Sequence, residues 1–170
     1  MSNRALRTNT KYKESATDKP VVLSLLLNEI VLKMEDYKKQ LSEVKAVEFR
    51  GTKLNVKFPN VGEMIDIENL KTAYSGGRYG VMLASGVKSM IYAVDVIDAM
   101  AFIEIKLKAV RNMLNLPDGQ SLMSVDSGLA SELTAWYKQQ IAPWYNSMMS
   151  KLYEAGNAQP SLNEQTGADA

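Results

Sequence analysis

The sequence predicts an α+β domain, mainly α, in which a helical body carries a small antiparallel β-hairpin. Three observations lead there. Apolar residues recur at three- and four-residue steps through residues 21–45, 87–114 and 128–155, which is the period of an amphipathic helix. Between the first two of these segments the period drops to two, as in a half-buried strand pair. Glycine and proline gather between the periodic segments, where turns belong.

Each element follows in order. Residues 1–19 form a polar N-terminal arm, with Arg4, Arg7, Lys11, Lys13 and Lys19 against Glu14 and Asp18. Pro20 opens the first helix, over residues 21–45, whose stripe is Leu23, Leu26, Leu27, Ile30, Met34, Tyr37, Leu41 and Val44. Val47 and Phe49, then Leu54, Val56 and Phe58, alternate with polar residues on either side of Gly51-Thr52-Lys53, which predicts a hairpin with one wet face. Pro59 ends its second strand, because proline has no amide hydrogen for a ladder. Met64-Ile65-Asp66-Ile67 reads as a third short strand or a docking turn, and Asp66 as the N-cap of a helix over 68–74.

Past Ser75-Gly76-Gly77-Arg78-Tyr79-Gly80, the helix expected over 87–114 is apolar nearly all round, so it should be central or covered partly by another subunit. Leu116-Pro117-Asp118-Gly119 stops it. The last helix, 128–155, holds Pro143, which predicts a kink or break at residues 140–142. Gly156 is its expected C-cap. The organisation is an arm (1–19), a single α+β domain (20–155) and a flexible C-terminal tail (156–170), with no internal repeat.

The 170-residue chain suits one domain, and at 46% hydrophobic it can build a core. Twenty basic and nineteen acidic residues leave a net charge of +1, without the basic excess of a nucleic-acid binder. With no cysteine there is no disulfide or thiolate chemistry. With no histidine, the commonest general base and metal ligand is missing, so Ser-His-Asp, Cys-His and histidine zinc sites are excluded. The N-terminus lacks the apolar core of a secretory signal. The two most apolar windows are interrupted by charge, which argues against a membrane span.

Candidate chemistry narrows quickly. The cluster Gly76-Gly77-Arg78-Tyr79-Gly80 fits neither a P-loop, since no Lys-Ser/Thr follows Gly80, nor a G-x-G-x-x-G fingerprint. It reads as a helix stop and hinge, with Arg78 and Tyr79 on a turn where they can meet a partner. Asp95 and Asp98 share a helix face, but with no third acid or histidine nearby they are read as exposed or paired with Arg78 or Lys88. Trp136-Tyr137 and Trp144-Tyr145 lie eight apart near one face, with only Lys138 and Lys151 close by. Core or interface packing is favoured over a base-stacking platform.

The run from Val56 through Pro59-Asn60-Val61-Gly62-Glu63 to Glu68, then Leu70-Lys71, Ser75-Gly76-Gly77-Arg78-Tyr79, Ala93 to Ala101, and Tyr137, Ile141 and Pro143-Trp144-Tyr145, resembles small virion-assembly proteins of tailed bacteriophages. That resemblance implies a non-enzymatic part of a tail, baseplate or connector, or a tail-assembly chaperone. It would work through contacts with other virion or assembly proteins rather than with nucleic acid or membrane, as a homo-oligomer in the virion or host cytoplasm. It implies no catalytic, cofactor or metal residues. The partner-binding candidates are Asn60 and Val61 on the loop after the hairpin, Arg78 and Tyr79 on the glycine turn, and Trp136 and Trp144. The alternative is a nucleic-acid-associated module using the basic arm.

Overall fold

The computed structural model describes residues 28, 31–32, 35–36, 38–117 and 119–157. The arm 1–19, most of the helix expected over 21–45, the tail from 158 onward and Asp118 lie outside them. The chain divides into two compact units, Met1–Asp36 and Tyr37–Ala170. In the first, the described residues are helical, and Val31 and Leu32 are exposed.

The second unit is α+β and mainly helical. Residues 38–42 are helical, and the chain is extended from Val44, earlier than the expected helix end at 45. The cause is pairing: β1 (Val44–Phe49) runs antiparallel to β2 (Thr52–Lys57), with Val44 opposite Lys57 and Phe49 opposite Thr52. The turn is therefore only Arg50-Gly51, both left-handed (φ 48° and 78°), as a two-residue hairpin of this twist requires. Thr52 and Lys53, expected in the turn, belong to β2. One face is buried (Val47, Phe49, Val56) and Glu48, Asn55 and Lys57 are exposed, as alternation predicts.

The largest correction follows Pro59. Met64-Ile65-Asp66-Ile67 is neither strand nor turn but the middle of α1 (Val61–Tyr74). Asp66 caps nothing. Asn60 is the N-cap: its side chain accepts from the Glu63 amide (3.0 Å), while the Glu63 carboxylate accepts from the Asn60 amide (2.9 Å). This capping box satisfies two of the orphan amides at the helix start. Only Ile67 of the apolar run is fully buried, because helical spacing turns Ile65 outward.

After the glycine cluster come α2 (Tyr79–Ala84) and α3 (Lys88–Lys106). The helix expected to run on to 114 breaks at Leu107 (φ −129°, ψ 51°) and resumes as α4 (Lys108–Met113). The break lets Leu107 and Val110 both enter the core, and neither glycine nor proline announces it. Residues 99–103 of α3 are all buried; five steps of a helix cover its whole circumference, so this half is the centre of the domain. The turn after α4 uses Asn115 (φ 52°) as a left-handed stop, with Gln120 N donating to Pro117 O (3.1 Å). A 3₁₀ turn (Leu122–Ser124) leads to α5 (Ser127–Gln140), capped by Asp126, and α6 (Ala142–Asn157).

The break between α5 and α6 at Ile141 is the one Pro143 predicts, and it leaves the proline in the first turn of α6, where its missing amide hydrogen costs least. Gly156 does not end α6, which continues to Asn157. The core joins Phe102, Met100, Ile103, Ile67, Val56, Val110, Leu122, Leu133 and Ile141, with Val47 and Phe49 from β1 and Met148 from α6; α2 alone has no buried residue.

Candidate functional site

The glycine cluster is a helix terminator in full. Gly77 N donates to Thr72 O (2.8 Å) and Gly76 N to Ala73 O (3.1 Å), and both glycines are left-handed (φ 76° and 59°). This is the Schellman pattern, which spends the donors that a phosphate would need.

The residues beside it have specific jobs. The Tyr79 hydroxyl donates to Asp98 Oδ1 (2.5 Å), and the Lys71 ammonium lies 3.2 Å from the same oxygen and 5.4 Å above the Tyr79 ring. Lys71 also bonds Glu68 (2.9 Å). Burial and the Asp98 hydrogen bond push the Tyr79 hydroxyl far above the ordinary tyrosine range. Burial lowers Lys71, but Glu68 and Asp98 outweigh it and hold the ammonium above its usual range. Asp98 is thus paired as expected, but by Lys71 and Tyr79 rather than by Arg78 or Lys88. Asp95 is paired with Lys138 (2.7 Å). Arg78 is exposed, its Nε donating to Ser75 O (3.4 Å).

Trp136 and Trp144 are docked on the hairpin. Trp136 Nε1 donates to Glu48 O (2.6 Å) and its ring lies 4.8 Å from Phe49; Trp144 meets Phe58 edge-on at 5.9 Å. These rings fasten α5 and α6 to the sheet, the packing alternative of the two weighed from sequence. Arg50 and Glu132 add a two-pronged pair at the hairpin tip (2.8 and 2.6 Å). Asn60 is committed to the capping box, whereas Val61 beside it is 73% exposed.

Sequence reasoning missed the polar node around Glu104. Its carboxylate accepts from the Tyr74 hydroxyl, from Leu122 N (3.2 Å) and from Arg111 Nη1 (3.3 Å), while Ser121 Oγ donates to the Tyr74 oxygen (3.1 Å). Arg111 Nη2 reaches Pro117 O (2.7 Å). The node ties α1, α3, α4 and the 3₁₀ turn together. Burial and the bond to Glu104 push the Tyr74 hydroxyl up to about 12. Among the described residues every buried side-chain polar atom has a partner, and no three acidic side chains converge as a metal would require. No helix among them is long and apolar enough to cross a membrane.

The surface that stands out is apolar. α2 and the first turns of α3 expose Val81 (72%), Leu83 (60%), Val87, Met90, Ile91 and Tyr92 in one stretch of chain. The two helices pack on each other, so these residues share one end of the domain. The helix expected to be apolar all round is therefore enclosed only in its second half. Scattered exposed apolar residues are ordinary on a surface; here six fall within twelve residues of two adjoining helices.

No family model matches the chain, and searches of curated proteins and of solved structures find no match.

Proposed function

We propose that the chain is a non-enzymatic structural or assembly part of a tailed-phage particle that works by protein–protein contact and associates with further copies of itself. The observation that carries the contact reading is the exposed apolar face of α2 and early α3. Covering one such side chain fully is worth about 1.5–3 kcal/mol, so a partner seated over several of them gains enough to offset part of the cost of association. The placement of the phage reading rests on the pattern between Val56 and Tyr145 described above. The satisfied polar interior supports the same reading: Asp95, Asp98, Glu104 and Lys71 all have structural partners.

Sedimentation at low and high salt, with the ultraviolet absorbance ratio recorded, tests this. An apolar contact predicts an oligomer that persists in salt and carries no nucleic acid. Bound nucleic acid that leaves as salt rises would overturn it in favour of the nucleic-acid reading.

A further inference from the structure

We propose that the outer edge of β2 is a docking site for an extended acidic segment of another protein, a surface separate from the apolar face of α2 and α3. The hairpin register decides which backbone groups are spare. In a two-residue hairpin the pair flanking the turn, here Phe49 and Thr52, exchanges both ladder bonds, and bonded and non-bonded pairs alternate from there. By that alternation Val47 bonds with Leu54 and Lys45 with Val56. The N–H and C=O groups of Lys53, Asn55 and Lys57 on β2, and of Ala46 and Glu48 on β1, therefore point away from the hairpin.

The two edges differ. On β1, Glu48 O accepts from Trp136 Nε1 (2.6 Å), which agrees with the outward direction and occupies that group, and α5 packs alongside. On β2, no hydrogen bond among the described residues reaches the outward groups of Lys53, Asn55 or Lys57, and all three residues are exposed. From Lys53 to Lys57 this open edge is about 13 Å long. Unpaired strand edges are templates for another strand.

Charge selects the occupant. β2 carries two lysines and no acid, and neither lysine forms an ion pair among the described residues. The acids nearest in register lie on the side away from the open edge: Glu48 opposite Lys53, and Glu43 just before Val44, which stands opposite Lys57. Arg50 and Glu132 at the turn are matched to each other. A second copy does not fit. An antiparallel β2 in register on β2 sets Lys53 opposite Lys57 at both ends, and like charges directly opposite repel. A foreign strand with carboxylates four residues apart places one opposite each lysine, while its backbone completes the ladder.

The probe is a fluorescent, cyclised β-hairpin peptide whose open strand carries two glutamates four residues apart; in a control peptide they are three apart and so on opposite faces. Anisotropy reads affinity for the full chain, and residue-resolved amide exchange reads the contact. In the free protein the amides of Lys53, Asn55 and Lys57 should exchange fast and those of Leu54 and Val56 slowly, and the peptide should protect the first three. Lys53→Glu with Lys57→Glu should weaken binding about three- to thirty-fold, and a peptide with lysines in place of glutamates should recover it. Asn55→Pro removes an outward amide that the β1–β2 ladder does not use, so it should abolish docking while the melting temperature and oligomer mass stay unchanged. Should that variant fail to fold, N-methylation of the facing peptide amide removes the same contact from the other side. No binding by wild type, or edge amides already protected in the free protein, overturns the inference. Equal affinity for the control peptide, or binding that survives both Asn55→Pro and N-methylation, shows attraction by charge alone and overturns it too. None of these outcomes alters the oligomer mass on which self-association rests.

Discussion

Glu104→Gln is the sharpest probe of how the domain is held together. The substitution keeps shape and removes charge. Three donors now converge on this carboxylate: the Tyr74 hydroxyl, the Leu122 amide and the Arg111 guanidinium. The amide retains one acceptor oxygen and turns an NH₂ toward donors, so at least one buried donor loses its partner. Arg111 and Glu104 are 18% and 19% exposed, partly shielded from water. Hydrogen bonds to charged groups contribute about 1.5–3 kcal/mol, and removing one member of a shielded pair leaves the other uncompensated, so a loss of about 2–4 kcal/mol is expected. Urea unfolding followed by circular dichroism measures it. With a slope of about 2 kcal/mol per molar, the midpoint should fall by about 1–2 M. The Tyr74 hydroxyl, held at about 12 by burial and then by Glu104, should also titrate closer to 10 in the variant. A midpoint within the error of wild type and an unchanged Tyr74 titration would refute the idea that Glu104 is the fastening of α1, α3, α4 and the 3₁₀ turn.

The remaining predictions concern other joints. Trp136→Phe should cost about 1–2 kcal/mol in urea unfolding, through the lost bond to Glu48 O and reduced packing on Phe49, while leaving oligomer mass unchanged; a normal stability with lost assembly would make this ring a partner contact instead. Asn60→Ala removes half the capping box and should cost about 0.5–2 kcal/mol by the same assay; no change would mean the start of α1 adds nothing. Burial raises Tyr74, Tyr79, Tyr137 and Tyr145 above 10, so in the alkaline range the unfolded chain releases these protons first. Stability is complete below pH 10 and should fall as pH climbs above it, with tyrosinate absorbance appearing together with unfolding; four tyrosines titrating freely near 10 in the folded protein would contradict this. On the acid side, burial raises Glu63 but Lys106 and the Asn60 amide outweigh it, so its contribution should be present above 4.5 and lost as pH falls below that value, read as a drop in melting temperature that Lys106→Met removes.

The fold class and the hairpin were legible because period two and period 3.6 leave different marks on sequence. The break at Ile141 was legible because proline acts locally. The start of α1 was legible in principle: Asn60 followed three residues later by Glu63 is a capping-box signature, obscured by the strand-like alternation of Met64 to Ile67 and by Asp66 as a rival cap. The break at Leu107 carried no local signal, since it is imposed by burying Leu107 and Val110 together. Pairings such as Asp98 with Lys71 and Tyr79, or Glu104 with Arg111 and Tyr74, depend on which helices meet, and residue spacing does not encode that. The exposed apolar end of α3 was half legible: its composition announced an all-round apolar helix, but which half the domain encloses depends on α1, α5 and the hairpin.

Native mass by light scattering on a sizing column, across a range of loading concentrations, tests the central claim most directly. A structural part that joins its own copies predicts a discrete mass or a concentration-dependent series above the 18.9 kDa of one chain, free of nucleic acid. A single 18.9 kDa species at every concentration would contradict it.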